Sequence, residues 1–149
     1  MFNLTKTSVA AGIIAIAALG GAAPAMAGQC SAAGANPLAN APTMPKDVTD
    51  TVIGSVDLGS EINVEGRQLR TRRLVVQPGG IVPIHNHKDR PALIVTVSGS
   101  ITEHRSDCSN PVVHNAGDIS REAGGISHYW INHGDVPAVL LSSDVFNGM

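Results

Sequence analysis

Three histidines carry the chemistry legible in this chain. His85 and His87 stand one residue apart, and His128 follows within the segment Gly117 to Asn132. Side chains two apart on an extended strand point to the same face, with their backbones roughly 7 Å apart. Both imidazoles of a His-Asn-His strand therefore lean toward one point, and a third from another strand completes a ligand set for a divalent ion. Neutral imidazole accepts iron, manganese, nickel, copper and zinc alike, so the set implies a metal without naming it. The ordinary alternative is a pair of solvated surface histidines. Other chemistries find little support. No Ser-His-Asp order or activated cysteine can be defended, and the glycine clusters lack the strand-loop-helix setting of a phosphate cradle.

The elements that must hold these residues are short and β-branched. Candidate strands cover Val52–Val56, Glu61–Val64, Gln68–Gln77, Val82–His87, Ala92–Ser98, Ser100–Arg105, Pro111–His114, Asp118–Glu122, His128–Asn132 and Ala138–Val145. None keeps a helical period over three turns, and Gly, Pro, Asn and Asp punctuate them, which predicts an all-β sandwich or barrel. Pro78-Gly79-Gly80, Ser98-Gly99-Ser100 and Asn115-Ala116-Gly117-Asp118 read as reversals between strands. Arg70, Arg72 and Arg73 are the densest basic group, and Arg70 and Arg72 share a strand face expected to be solvated.

The first residues look like a leader. Lys6, an apolar run from Val9 to Leu19 and a small-residue end at Ala25-Met26-Ala27 form the three parts of a secretory signal peptide. The run is shorter than the roughly 20 residues of a membrane span. The expected organisation is a cleaved segment 1–27, a flexible arm over 28–46 rich in Ala, Gly, Pro and Asn, and one β-barrel domain over 47–149, with a periplasmic or extracellular destination and no membrane insertion after cleavage. In an oxidising compartment the chain's two cysteines, Cys30 and Cys108, are expected to form a disulfide, with free thiols as the alternative. Ten basic against 12 acidic residues, without a basic run, argues against nucleic acid.

The spacing around the histidines resembles the two motifs of the cupins, small jelly-roll barrels. Gly79, five residues, His85, Asn86, His87 and then Gly99 follow the first motif. Gly117, Gly125, His128 and Asn132 follow the second at every spacing, with Ala123 where proline is usual. The resemblance covers about residues 72 to 145 and implies a cupin double-stranded β-helix. It also implies a metal site of His85, His87 and His128. The family's glutamate position falls on Ala92, or on Pro91 by the alternative spacing, and neither binds metal. The site is therefore expected to lack a carboxylate and to leave coordination positions open, as catalytic sites do. Asp89 and Glu103 are the nearest acids, both expected to face solvent.

Trp130 shares parity with His128 and is a candidate pocket wall, with plain core packing as the alternative, whereas Tyr129 should point outward. Arg90 and Lys88 follow the first pair and are placed to meet an anionic substrate, against ordinary exposure. Asn132 is expected to bond a turn, and His104 and His114 to be exposed. Two functions stay open: an iron-dependent dioxygenase acting on a small organic molecule, as some three-histidine cupins are, and a non-catalytic small-molecule binding or sensing cupin. The resemblance also implies a homodimer paired through the sheets.

Overall fold

The structure, a computed structural model, describes residues 38–148; the expected leader and most of the expected arm lie outside them. The elements run β1 (Lys46–Asp57), α1 (Leu58–Ile62), β2 (Arg67–Asn86), β3 (Ala92–Ser98), β4 (Ser100–Arg105), β5 (Val112–Asn115), β6 (Ile119–Glu122), β7 (Ser127–Ile131) and β8 (Ala138–Asn147). The strands form one antiparallel sheet in the order β5-β4-β7-β2-β8-β3-β6, with β1 laid on β2. This sheet curls into a nearly closed barrel, the all-β architecture expected from the sequence.

Three local expectations change. Residues 61–64 form no strand. Asp57 caps a single helical turn by accepting from Gly59 N at 2.7 Å and Ser60 N at 3.2 Å, and Asn63 ends it in the left-handed region at φ 57°. Pro78-Gly79-Gly80 does not reverse the chain either, because β2 continues through it for 20 residues. The first half of β2 pairs with β1 and β8, while its last residues pair mainly with β7. Gly80 allows this because a Cβ there would sit 2.7 Å from Gln77 O and 2.9 Å from Asp47 O. Ser98-Gly99-Ser100 is a corner rather than a hairpin: β3 pairs with β6 and β8, β4 with β5 and β7.

Strand alternation packs the interior. Leu74, Val76, Ala92, Ile94, Ile101, Trp130, Ala138 and Leu140 form the apolar core, each large aliphatic side chain contributing roughly 1.5–3 kcal/mol by leaving water. The inward positions of β8 grade from apolar to polar: Ala138, Leu140, Ser142, Asp144. Where they turn polar, the neighbouring strands also point ionisable groups inward.

One irregularity decides where the histidines face. Ile81 and Val82 pair with Ile131 and Trp130, but His85 pairs with His128, so β2 carries one residue more than β7 across Val82–His85. A β-bulge of this kind changes the face to which the following side chains point. With it, both Val82 and His85 turn toward the barrel cavity, and His87 is buried at 1% exposure.

Candidate metal centre

The barrel brings His85, His87 and His128 together, with ring centroids 4.5–5.0 Å apart. A fourth residue joins them. Glu122 of β6 offers a carboxylate oxygen, and the four ligand atoms lie within 4.8 Å of one another. The expected carboxylate-free site is thereby corrected. The acid is neither Asp89, which is exposed, nor Glu103, but Glu122, which pairs across strands with Ala92, the position where the family motif places its glutamate. The carboxylate has moved one strand sideways at the same level of the barrel.

Hydrogen bonds fix the rings so that their metal-binding nitrogens converge. Nδ1 of His85 donates to Pro83 O at 2.9 Å and Nδ1 of His87 to Arg90 O at 2.6 Å. Nδ1 of His128 donates to Glu103 Oε1 at 2.6 Å. With each Nδ1 carrying the proton, each Nε2 presents a lone pair. The Nε2 atoms of His85 and His128 then lie 3.0 Å apart, lone pair against lone pair. His87 Nε2 is 2.9 Å from Glu122 Oε2 without hydrogen-bond alignment, and His87 Nε2 and Glu122 Oε1 are buried without a hydrogen-bond partner. Buried polar atoms are normally satisfied. A divalent cation, binding imidazole and carboxylate at about 2.0–2.2 Å, would satisfy all of them together. Burial, followed by the neighbouring His128, lowers the pKa of His85 to about 3, which keeps its lone pair free for a ligand.

Glu103 lies behind His128 and is fully buried, contrary to the solvent-facing role expected of it. It accepts from His128, from His114 Nε2 at 2.9 Å, from Ser120 Oγ at 3.0 Å and from Arg105 at 3.3 Å. Burial alone would raise its pKa, but the hydrogen bonds from His114 and His128 outweigh this and hold it at about 2. His114 is likewise buried at 2%, not exposed. His104, half-buried, stacks on the buried Tyr129 at 4.4 Å. Asn132 donates to Val76 O and Val136 O and accepts from Gly134 N, tying the β7–β8 turn to the core.

A cavity of about 180 Å³ opens beside the histidines, with Trp130 and Arg90 both on its wall, as well as His85 and Glu122. Lys88 and Asp89 are exposed and line no part of it. Arg70 and Arg72, expected on a solvated face, instead converge on Asp144. This carboxylate accepts from Arg70 at 3.0 and 2.8 Å and from Arg90 at 3.0 Å, with Arg72 at 3.8 Å. Cys108 is 1% exposed, and its expected partner Cys30 lies outside the described residues.

Comparison with known proteins agrees with this geometry. Residues 72–144 match the family model described as a cupin domain. The auxin-binding protein ABP19b of Prunus persica is 32% identical over 83 residues, covering 54% of this chain and 40% of that protein. The chain thus spans less than half the length of this curated relative. Among solved structures, a predicted oxalate decarboxylase from Thermotoga maritima superposes with a TM-score of 0.55 at 16% identity, covering 76% of this chain and 99% of that one. A cupin 2 conserved barrel domain protein from Salinispora arenicola superposes with a TM-score of 0.51 at 16% identity over 71% and 81%. The chain belongs to the cupin superfamily.

Glu122 and the arginine–Asp144 cluster escaped the sequence reading. In Ile119-Ser-Arg-Glu122 the one apolar residue suggests that odd positions face inward, whereas Ile119 is 52% exposed and Ser120 and Glu122 are buried. The available signal was the level of the barrel: a carboxylate one strand away from a vacant ligand position.

Proposed function

We propose that this cupin binds one divalent metal ion through His85, His87, His128 and Glu122 and uses it to hold a small organic molecule in the adjoining cavity. The observation that carries the reading is the gathering of His85, His87, His128 and Glu122 with their ligand atoms within 4.8 Å of one another, His87 Nε2 and Glu122 Oε1 being buried without a hydrogen-bond partner. When bound, the ion supplies Lewis acidity, and redox chemistry if it is iron, manganese or copper. The chain's own part is positional. Pro83 O, Arg90 O and Glu103 set the three imidazoles, Trp130 walls off water, and Glu122 offsets one of the two metal charges.

Two uses of that site remain, and similar proteins lie on both sides, a sequence relative named as an auxin-binding protein and a structural neighbour named as a predicted oxalate decarboxylase. A metal-dependent enzyme, including the iron-dependent dioxygenase, is the first. A non-catalytic binding module is the second, favoured by the commitment of the cavity's acids: Asp50 to Arg72 and Glu122 to the histidine group. Oxygen uptake by iron-loaded protein with thiols, diketones and phenolic acids separates them. Export, cleavage after Ala27 and a Cys30–Cys108 bridge complete the proposal, and are read out by the N-terminal sequence of the mature protein and by its mass after alkylation without reductant.

The test of the metal centre is metal analysis of protein purified without added metal. Wild type should carry close to one equivalent, and His87→Ala or Glu122→Ala should lose at least tenfold in metal affinity. Moving the carboxylate back, with Ala92→Glu added to Glu122→Ala, should recover binding. Unchanged metal content in the single variants would refute the site.

A further inference from the structure

The cavity beside the metal group has two unlike walls. One is apolar, built from Leu74, Val82, Ile94, Leu140 and Trp130. The other presents Arg72, Arg90 and Ser142, with Asp50 paired to Arg72 at its edge. At this second wall, with Arg70 and Asp144 behind it, three guanidiniums, those of Arg70, Arg72 and Arg90, share two carboxylates, Asp144 and Asp50. The cluster therefore retains one positive charge. Arg72 also has a buried Nε without a hydrogen-bond partner among the described residues, although its other nitrogens reach Asp50 and Ser142. Two guanidiniums, those of Arg72 and Arg90, thus reach the cavity wall, and guanidinium N–H groups are the donors that carboxylates pair with most strongly.

We propose that the ligand of this cavity is a small monocarboxylate with a compact apolar body, its carboxylate held by Arg72 and Arg90 and its body against Trp130, Leu140 and Ile94. The assignment rests on the metal reading above, because Glu122 also lines the cavity and only a bound cation offsets its charge. Size agrees with the class. About 180 Å³ slightly exceeds the roughly 150 Å³ apolar cavity that accepts benzene. The apolar wall disfavours a dianion without a hydrocarbon part, since such a ligand would lose hydration without gaining contacts there.

Arg90 is the residue to change. Its side chain is the most exposed of the three arginines, and Asp144 keeps the bidentate Arg70 pair without it. The backbone carbonyl that orients His87 is unaffected by the side chain. The experiment titrates benzoate, benzamide and oxalate into full-length mature protein, zinc-saturated and chelator-treated, with zinc content measured on the same samples. Benzoate is expected to bind zinc-saturated wild type at least tenfold more tightly than benzamide and more tightly than oxalate. Arg90→Gln should lower the benzoate-to-benzamide ratio about tenfold while its zinc content stays at the wild-type level. Should Arg90→Gln fail to fold, Arg90→Lys, which keeps the charge and loses the fork, should lower the ratio several-fold. No benzoate binding, equal binding of the amide, tighter binding of oxalate or an unchanged ratio in the arginine variants would overturn the proposal. Failure of the metal reading is distinct, since it appears as absent zinc binding whichever ligand is used; in that case a ratio in the metal-free protein that falls with Arg90→Gln still supports the arginine clamp, and one that does not overturns it.

Discussion

On one side of Ala92 stands Glu122 and on the other Asp144, each a cross-strand partner of that alanine and each about 1% exposed. The two carboxylates occupy opposite surroundings. Asp144 is crowded by cations: four nitrogen contacts from three arginines, with the pKa held down by those contacts against the upward pull of burial. Glu122 faces imidazoles and no arginine among the described residues, and one of its oxygens has no hydrogen-bond partner. Both were built at the same level of the same barrel, so burial alone does not distinguish them. What differs is whether the protein completes the carboxylate's coordination or leaves it for something else. The first pattern belongs to a scaffold and the second to a ligand site.

Substitution at the two positions should separate these roles most sharply. Asp144→Asn takes the carboxylate from Arg70 and Arg90, Arg72 keeping Asp50, and is expected to cost about 2–4 kcal/mol of folding stability, the lower end reflecting the arginines' partial exposure. Glu122→Gln in metal-free protein should change stability by less than about 1 kcal/mol, because the carboxylate makes no aligned hydrogen bond that the amide would forfeit. Denaturant unfolding of both variants checks this, and equal costs would break the comparison.

A smaller effect is expected at Glu103, which stands behind the site and not in it. Glu103→Gln keeps the shape but weakens the acceptor that fixes His128, and should lower metal affinity about 10–100-fold by chelator competition. Affinity within twofold of wild type would show that the tautomer of His128 is set elsewhere.

The gentlest probe is pH. His85 stays neutral in the folded, metal-free protein down to about pH 3, whereas an unfolded histidine takes up a proton near 6.5. The unfolded state therefore binds more protons as pH falls below 6.5, and stability declines from there toward 3. Glu103 adds a second decline between about 4.5 and 2, where the unfolded carboxyl is protonated and the folded one is not. Thermal unfolding of chelated protein across pH 7 to 3 should show the first decline, and a flat profile would contradict the buried neutral His85.

The same contrast explains what the sequence disclosed. His85, His87 and His128 were visible because ligand spacing on a strand follows from its two-residue period, and the glycines and Asn132 around them fixed the family. Glu122 was hidden because its strand has four residues and an exposed isoleucine, too short and misleading to assign a face. The arginine cluster was hidden for another reason: Asp144 lies 74 positions beyond Arg70, and only the β2–β8 register joins them. Residues 61–64 went astray because the capping by Asp57 and Asn63 outweighed the strand preference of a few side chains.

The single extra residue between Val82 and His85 has a genetic consequence. Loss of one codon there would remove the bulge and leave both ladders in their present register, with His85 still opposite His128 and on the same strand face as Val82. A lineage could therefore gain or lose this residue in one in-frame step without turning the histidine pair away from the cavity.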